Sequence, residues 1–288
     1  MRRFLFLAIL LLLSCEKAYI DVDDGAGDSP ASSKLEGNLI VSISQIEQVP
    51  FLDYSRAAVA DVCTRVNFVV YNMAGTRVKQ INQQLGLANY GTAAFQLEEG
   101  EYQLVVVAHS SNGNPTMTDP TKIRFTNAQG FTDTFLYNGH ITIGAEPQTH
   151  TVSLRRITSL CRFVITDEYP FNVKKMRFYY TGGSGAFNAA TGFGTVNSKQ
   201  EVTFYVATGQ KQFDLYTILH NAEGTIHLKV SALNAVDDIL REREFDIPLA
   251  QNRMTCLTGP FFSDGDFNNT TIDIDLYPDW IPGIQVTF

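Results

Sequence analysis

Cysteine, tryptophan and positive charge are all scarce in this chain. Four cysteines and one tryptophan stand among 288 residues, and 22 Lys and Arg face 30 Asp and Glu. The shortage of base leaves no basic stripe to displace counterions from a phosphate backbone, which argues against nucleic acid as a partner, and it gives no electrostatic hold on anionic lipid. With Cys15 set aside, Cys63, Cys161 and Cys256 allow at most one bridge, so no disulfide scaffold holds the fold. They read as buried thiols packing as small apolar groups, with a Cys161–Cys256 bridge as the alternative. HExxH, CxxC and a lysine-bearing glycine loop for phosphate are missing too. After the first fourteen residues no apolar run is long enough to span a bilayer.

What is present begins at the N-terminus. Arg2 and Arg3 precede an unbroken apolar stretch, Phe4 to Leu13. It fits the roughly 7–15 residues of a signal-peptide core and falls short of the roughly 20 a spanning helix needs. Leu12-Leu13-Ser14-Cys15 has the pattern of a bacterial lipobox, although Leu13 is bulkier than the small residue often found there. The reading is a signal peptide over 1–14, lipidation of Cys15, and a secreted lipoprotein held to the membrane by fatty acyl chains such as palmitate. Two or three chains hold firmly where one is marginal. Loss of Arg2 and Arg3 with the leader leaves 20 basic against 30 acidic residues, a formal charge of −10. Residues 15–35, rich in Asp, Gly, Ser and Ala, bury too little apolar surface to order themselves and read as a lipidated flexible tether.

Beyond Glu36 the texture is β. Leu39, Val41 and Ile43 alternate along one face of a first strand. Val66–Tyr71, Tyr102–Ala108, Arg162–Thr166, Lys175–Tyr180, Phe213–His220, Thr225–Ala232 and Met254–Leu257 follow, with turn residues between them. Ile81–Ala88 and Ala235–Arg241 are expected as short helices. Many short strands predict an all-β fold of sandwiches or barrels. The segment Glu101 to Gly113 aligns without gaps with Gln212 to Gly224, both running aromatic, leucine, apolar run, histidine, glycine. Cys63-Thr64-Arg65 and Cys161-Arg162-Phe163 open similar strands upstream. This repeat favours two tandem β-sandwiches, over 36–155 and 156–288.

Candidate chemistry is thin. His109 and His220 sit at equivalent strand ends and read as structural. Thr181-Gly182-Gly183-Ser184-Gly185-Ala186 misplaces the second glycine of a nucleophile elbow and reads as a hairpin loop. Asp264, Asp266 and Asn268 alternate, but Asn269 stands where a calcium loop needs glycine, so a solvated turn is favoured over a metal site. Asp273 and Asp275 share a strand face without identifying an acid or a base. No enzyme, metal or cofactor is expected.

Three stretches are similar to the fimbrillin superfamily of Bacteroidetes, and most of all to its FimB-type anchor and accessory subunits. They are Gly37 to Ile43, Cys63 to Asn72 and Gly100 to Ala108. Leu154 to Phe163 resembles that family's entry into its second domain, and Ile247 to Thr255 its late strand; the likeness runs over roughly 36 to 280. It implies two transthyretin-like β-sandwiches and assembly of a type V pilus by strand donation, in which a neighbour's strand fills an apolar groove. The resemblance therefore implies a lipid-anchored structural subunit at the outer membrane and cell surface. Its partners would be other fimbrial subunits, with adhesion to a host or bacterial ligand as a further possibility. The acidic run after Cys15 also looks like the surface-export signals of lipoproteins in that phylum, and a solvated linker explains it equally. The rival from another class is a surface glycan-binding lipoprotein.

Two places are candidates for strand exchange: Leu39, Val41 and Ile43 on the first strand, and Ile284, Val286 and Phe288 at the C-terminus. The C-terminal stripe either completes the chain's own second sandwich or reaches a partner. In stalk subunits of the resembled family an arginine-specific protease removes the first strand. Arg56-Ala57 stands at a fitting distance, either as such a site or as a loop arginine in an anchor that keeps its strand.

Overall fold

The computed structural model describes residues 35–47, 57–126, 131–207, 209–263 and 285–287. Among the described residues it is all-β, with seventeen strands and a single turn of helix. The first half holds β1 (Leu39–Glu47), α1 (Val59–Val62), β2 (Arg65–Asn72), β3 (Arg77–Gln84), β4 (Thr92–Phe95), β5 (Gly100–His109), β6 (Ile123–Arg124), β7 (Thr134–Ile143) and β8 (Gln148–Arg156). Seven of these strands follow the order β3-β2-β5-β7-β8-β1-β4. β7 and β8 pair only through Phe135 with Arg156 and Leu136 with Arg155, so the sheet turns a corner there. The corner lays β8-β1-β4 over β3-β2-β5-β7. Leu39 and Val41 of β1, Phe68 of β2, Phe95 of β4, Leu104 of β5 and Leu154 of β8 pack between the layers.

The second half holds β9 (Ser159–Ile165), β10 (Lys175–Ser184), β11 (Ala186–Phe187), β12 (Asn197–Tyr205), β13 (Gln212–Thr217), β14 (Glu223–Leu233), β15 (Ile239–Ala250), β16 (Met254–Gly259) and β17 (Gln285–Thr287). Eight of them form two four-stranded sheets, β12-β10-β14-β15 and β13-β9-β16-β17, and β11 pairs outside both. The core between these sheets is aromatic. Phe178 lies 5.5 Å from Phe163 and 5.1 Å from Phe213, centroid to centroid, and Phe261 lies 6.1 Å from Phe163. Such edge and tilted contacts add to the area each ring buries.

A third apolar cluster ties the halves together. Val69 and Tyr71 of β2 and Val105 and Val107 of β5 turn away from the first core and meet Met117, Phe125 and Phe131 of the long β5–β7 connection. Ile157, Phe187 and Ile218 of the second half join the same cluster, and β6 pairs with β11 across the junction. The unbroken apolar runs of β2 and β5 follow from this: a strand covered on both faces has no solvent side to make polar.

Several sequence expectations fail for local reasons. Ile81–Ala88 is not helical; Ile81 to Gln84 finish β3, whose hairpin with β2 turns at Asn72–Gly75. Ala235–Arg241 is a turn into β15, held by the Asn234 carboxamide oxygen accepting from the backbone of Val236 and Asp238, both at 2.9 Å. Thr181–Ser184 is not a loop but the bulged end of β10, with the register shifting between Tyr180 and Gly183. Glycine is required there, since a Cβ on Gly182 would come within 2.3 Å of the Thr225 carbonyl oxygen. Cys63, Cys161 and Cys256 are free and buried. Cys161 stands opposite Thr255 across β9 and β16, so Cys256, one residue on, points to the other face of the sheet and no bridge can form.

Candidate strand-exchange site

β1 fills an interior slot. It pairs antiparallel with β4 over Leu39–Ser42 and parallel with β8 from Leu39 to Glu47. Leu39, Val41 and Ile46 have no solvent exposure. Burying three such side chains stabilises the seated strand by roughly 5–9 kcal/mol, before any backbone hydrogen bond is counted.

The predicted stripe is one residue longer than alternation allows. Ser44 bulges out between Ile43 and Gln45, its hydroxyl donating to the Val152 carbonyl at 3.1 Å. The bulge flips the parity and puts Ile46 on the inner face opposite Leu154, while Ile43 is half-buried against the same core. Strict period two therefore missed Ile46.

The strand's entry is clamped. The Asn38 carboxamide donates to the Leu97 carbonyl at 2.8 Å and accepts from the Leu97 N–H at 2.9 Å, as a backbone neighbour would. Gly37 passes so close to β4 that an added Cβ would lie 2.4 Å from the Phe95 carbonyl oxygen. At the exit, the Ile46 N–H points to the Ala57 carbonyl at 3.5 Å and the two residues form an isolated antiparallel bridge. Ala57 thus lies beside the end of β1, and α1 starts two residues later. Arg56 lies outside the described residues, as does Cys15.

At the other end of the chain, Gln285–Thr287 runs parallel to β16, with Val286 opposite Leu257. This makes β17 a three-residue edge strand on the chain's own second core. Ile284 and Phe288 lie outside the described residues, as do Asp264, Asp266, Asn268, Asp273 and Asp275. The site thus comprises an interior strand at the start of the chain and a short edge strand at its end, in different cores.

The two histidines singled out in the sequence serve the backbone. His109 is buried at the end of β5. Its Nδ1 accepts from the Ser111 N–H at 3.1 Å, which leaves the proton on Nε2 to be donated to the Asn67 carboxamide oxygen at 2.9 Å. Burial lowers its pKa to about 4, helped by the charge of Arg65. His220 donates from Nδ1 to the Gly194 carbonyl at 3.1 Å. The repeat containing them is partly reflected in the fold: β5 pairs antiparallel with β2 and β13 with β9, but β5 is interior and β13 ends its sheet. Among the described residues no group of three or more His, Cys, Asp or Glu side chains could hold a metal ion.

Residues 32–282 match the family described as fimbrillin-A associated anchor proteins Mfa1 and Mfa2, and the chain belongs to that family. No curated protein sequence matches it. Among solved structures it is similar to the fimbrial anchor protein Mfa2 from Porphyromonas gingivalis, with 12% identity, 71% of this chain and 80% of that chain covered, and a TM-score of 0.43. It is also similar to a fimbrial assembly protein from Parabacteroides distasonis, at 14% identity, coverage of 77% and 90%, and a TM-score of 0.38. A candidate adhesin from Bacteroides ovatus shares 14% identity over 76% of this chain and 87% of that chain, with a TM-score of 0.49. Family membership makes the chain a fimbrial accessory subunit: a structural protein associated with the cell surface and with other fimbrial subunits.

Proposed function

We propose that this chain anchors a fimbria to the outer membrane through lipid on Cys15, keeps its first strand, and joins its neighbour by strand complementation through its C-terminus. The observation that carries the reading is the seating of β1. With a neighbour on each side, Leu39, Val41 and Ile46 wholly buried and Asn38 clamped to Leu97, the strand completes the first core from within. A subunit that keeps such a strand has no open slot to receive a donor, so a growing polymer ends on it. In this reading the chain divides into sandwiches over 36–155 and 156–288, tethered by 15–35, and Arg56 remains uncut.

The C-terminal stripe is the complementary half of the reading. Among the described residues β17 pairs with three residues of β16, and a short edge strand has little to lose by exchanging its own sheet for a neighbour's. Ile284, Val286 and Phe288 would then present one apolar face to the recipient groove.

N-terminal analysis of the protein isolated from cells tests the first half: lipidated Cys15 is expected at the start, and Ala57 there instead would make this a stalk-like subunit. Deleting residues 284–288 tests the second half. Secretion and folding are expected to survive while incorporation into fimbriae is lost, and normal assembly of the truncated chain would sink strand donation from this end.

A further inference from the structure

The strand registers place a polar crevice on the outer face of the β12-β10-β14-β15 sheet. Phe178 and Tyr180 of β10, Leu228 and Val230 of β14 and Ile247 of β15 are buried in the second core. Alternation then turns Tyr179, Thr181, His227, Lys229, Glu244 and Asp246 the other way. They stand in two rows across three strands. Tyr179 lies opposite Lys229 and Lys229 opposite Glu244, while Thr181 lies opposite His227 and His227 opposite Asp246. The rows are two residues apart, roughly 7 Å along the strands. Together they line a crevice of about 190 Å³, to which Leu228 and Phe245 also contribute. Pockets for drug-sized ligands hold roughly 300–1,000 Å³, so this one has room for a single ring.

The polar side chains are held in place but not used up. Lys229 Nζ lies 2.9 Å from Glu244 and 3.3 Å from Glu242, and His227 Nδ1 meets the Asp246 carboxylate. These contacts run from strand to strand and fix the polar tips. The Glu244 and Asp246 side chains are nevertheless 70% and 71% exposed. A carboxylate has about four acceptor sites, so each keeps lone pairs open to a ligand. Thr181 and Lys229 add donors, and Tyr179 adds a ring with an apolar face. Charge then selects the ligand. Lys229 already offsets the carboxylates, so the crevice has no positive surplus to draw a phosphate or sulfate and no open acidic pair to draw a cation. An apolar protein surface fits poorly, since the centres of protein interfaces are depleted of charge. The chemistry that fits is an uncharged ring with hydroxyls on its rim and C–H bonds on its faces.

We infer that the crevice binds one neutral sugar residue of a glycan: Glu244 and Asp246 accept from its hydroxyls, Lys229 and Thr181 donate to its oxygens, and Tyr179 packs against its C–H face. This binding lies beyond anchoring and does not depend on it.

The test titrates the purified full chain with galactose-, mannose- and N-acetylglucosamine-terminated oligosaccharides in one arm and with capsular polysaccharide of the producing cells in the other. Sialylated and sulfated oligosaccharides are the charged controls. Neutral glycans of at least one arm are expected to bind and to shift the His227 ring resonances in NMR spectra, and the arm that binds identifies the source. Asp246→Asn and Tyr179→Ala are expected to keep the unfolding midpoint and to weaken binding at least tenfold, while Lys79→Ala, on the exposed edge strand β3, binds like the wild type. Should Tyr179→Ala fold poorly, Asp246→Asn and the His227 shifts decide. No binding in either arm, binding of the charged controls alone, or undiminished binding by Asp246→Asn overturns the inference. Asp246→Asn is also expected to be recovered with fimbriae like the wild type; loss of that recovery would make the crevice a contact for another subunit and overturn the sugar site, leaving the anchor reading intact.

Discussion

Arg156 grips Asp133 with two parallel hydrogen bonds, Nε to Oδ1 at 2.8 Å and Nη2 to Oδ2 at 2.9 Å, where the first half of the chain hands over to the second. The guanidinium is 5% exposed, lies 5.0 Å over the Phe135 ring, and reaches across the junction to the Asn252 carboxamide oxygen at 3.3 Å. Thr158 adds a hydrogen bond to the same carboxylate at 2.9 Å.

Removing one partner of this pair strands the other where water is scarce. Asp133→Ala should cost about 3–5 kcal/mol of unfolding free energy, the range for breaking a buried pair. Glu244→Ala, which leaves the exposed Lys229 paired with Glu242, should barely change stability. Urea unfolding of the two variants compares them, and equal losses would show that the junction pair is unimportant.

His109 sets a pH dependence. Its folded-state pKa is about 4 against an ordinary 6.5, so between these values the unfolded chain takes up a proton that the native one refuses. Stability should be full above about pH 6.5 and decline toward about pH 4, by up to about 3 kcal/mol in all. His109→Gln should flatten the profile in that window. Asp167 acts lower on the scale. Burial opposes its ionisation, but the N–H groups of Phe261, Ser263 and Phe262 outweigh burial and lower its pKa, so its contribution fades only below the ordinary carboxylate range. Unfolding curves carried from pH 7 to below pH 3 separate the two steps.

Gly37→Ala should loosen the seat of β1. The new Cβ meets a backbone oxygen of β4 that cannot step aside, and overpacking of this kind costs about 1–3 kcal/mol. Gly113→Ala, where nothing lies within 4 Å, is the control and should be nearly neutral. Hydrogen exchange at the amides of Leu39–Ile43 should quicken in the first variant alone.

The three thiols should be silent in the native protein. Burial pushes the pKa values of Cys63 and Cys161 up, keeping them as unreactive thiols, and Cys161 and Cys256 lie on opposite faces of their sheet. Thiol titration should find none of them reactive before denaturation and all three after it. An intramolecular disulfide appearing under mild oxidation would contradict the pairing of β9 with β16.

Strands were legible in the sequence wherever one face meets solvent or a long β-branched run has turn residues on both sides. Leu39 and Val41 are inward-facing as alternation predicts. Ile46 escaped because a serine bulge shifts the count, and no local pattern announces a bulge whose hydrogen bond goes to Val152, more than a hundred residues away. The helices expected at Ile81–Ala88 and Ala235–Arg241 failed because local apolar spacing was outweighed by hairpin pairing, a non-local term that no window contains. The third cluster was hidden for a similar reason: Val69 and Val107 look like any strand residues until the β5–β7 connection covers them.

The first strand of the chain sits beside the last strand of its own core, Leu39 next to Gln148, in parallel. A nascent or newly exported chain therefore cannot close its first core until more than a hundred further residues have emerged, and the wait is set by loop closure rather than by local structure. During that interval the gap between β8 and β4 is an open vacancy that the chain's own N-terminus must reach before any rival segment does. Because β1 is covalently joined to the strands that frame this vacancy, the chain that follows it has a kinetic consequence: it keeps the correct occupant at high local concentration while the vacancy exists.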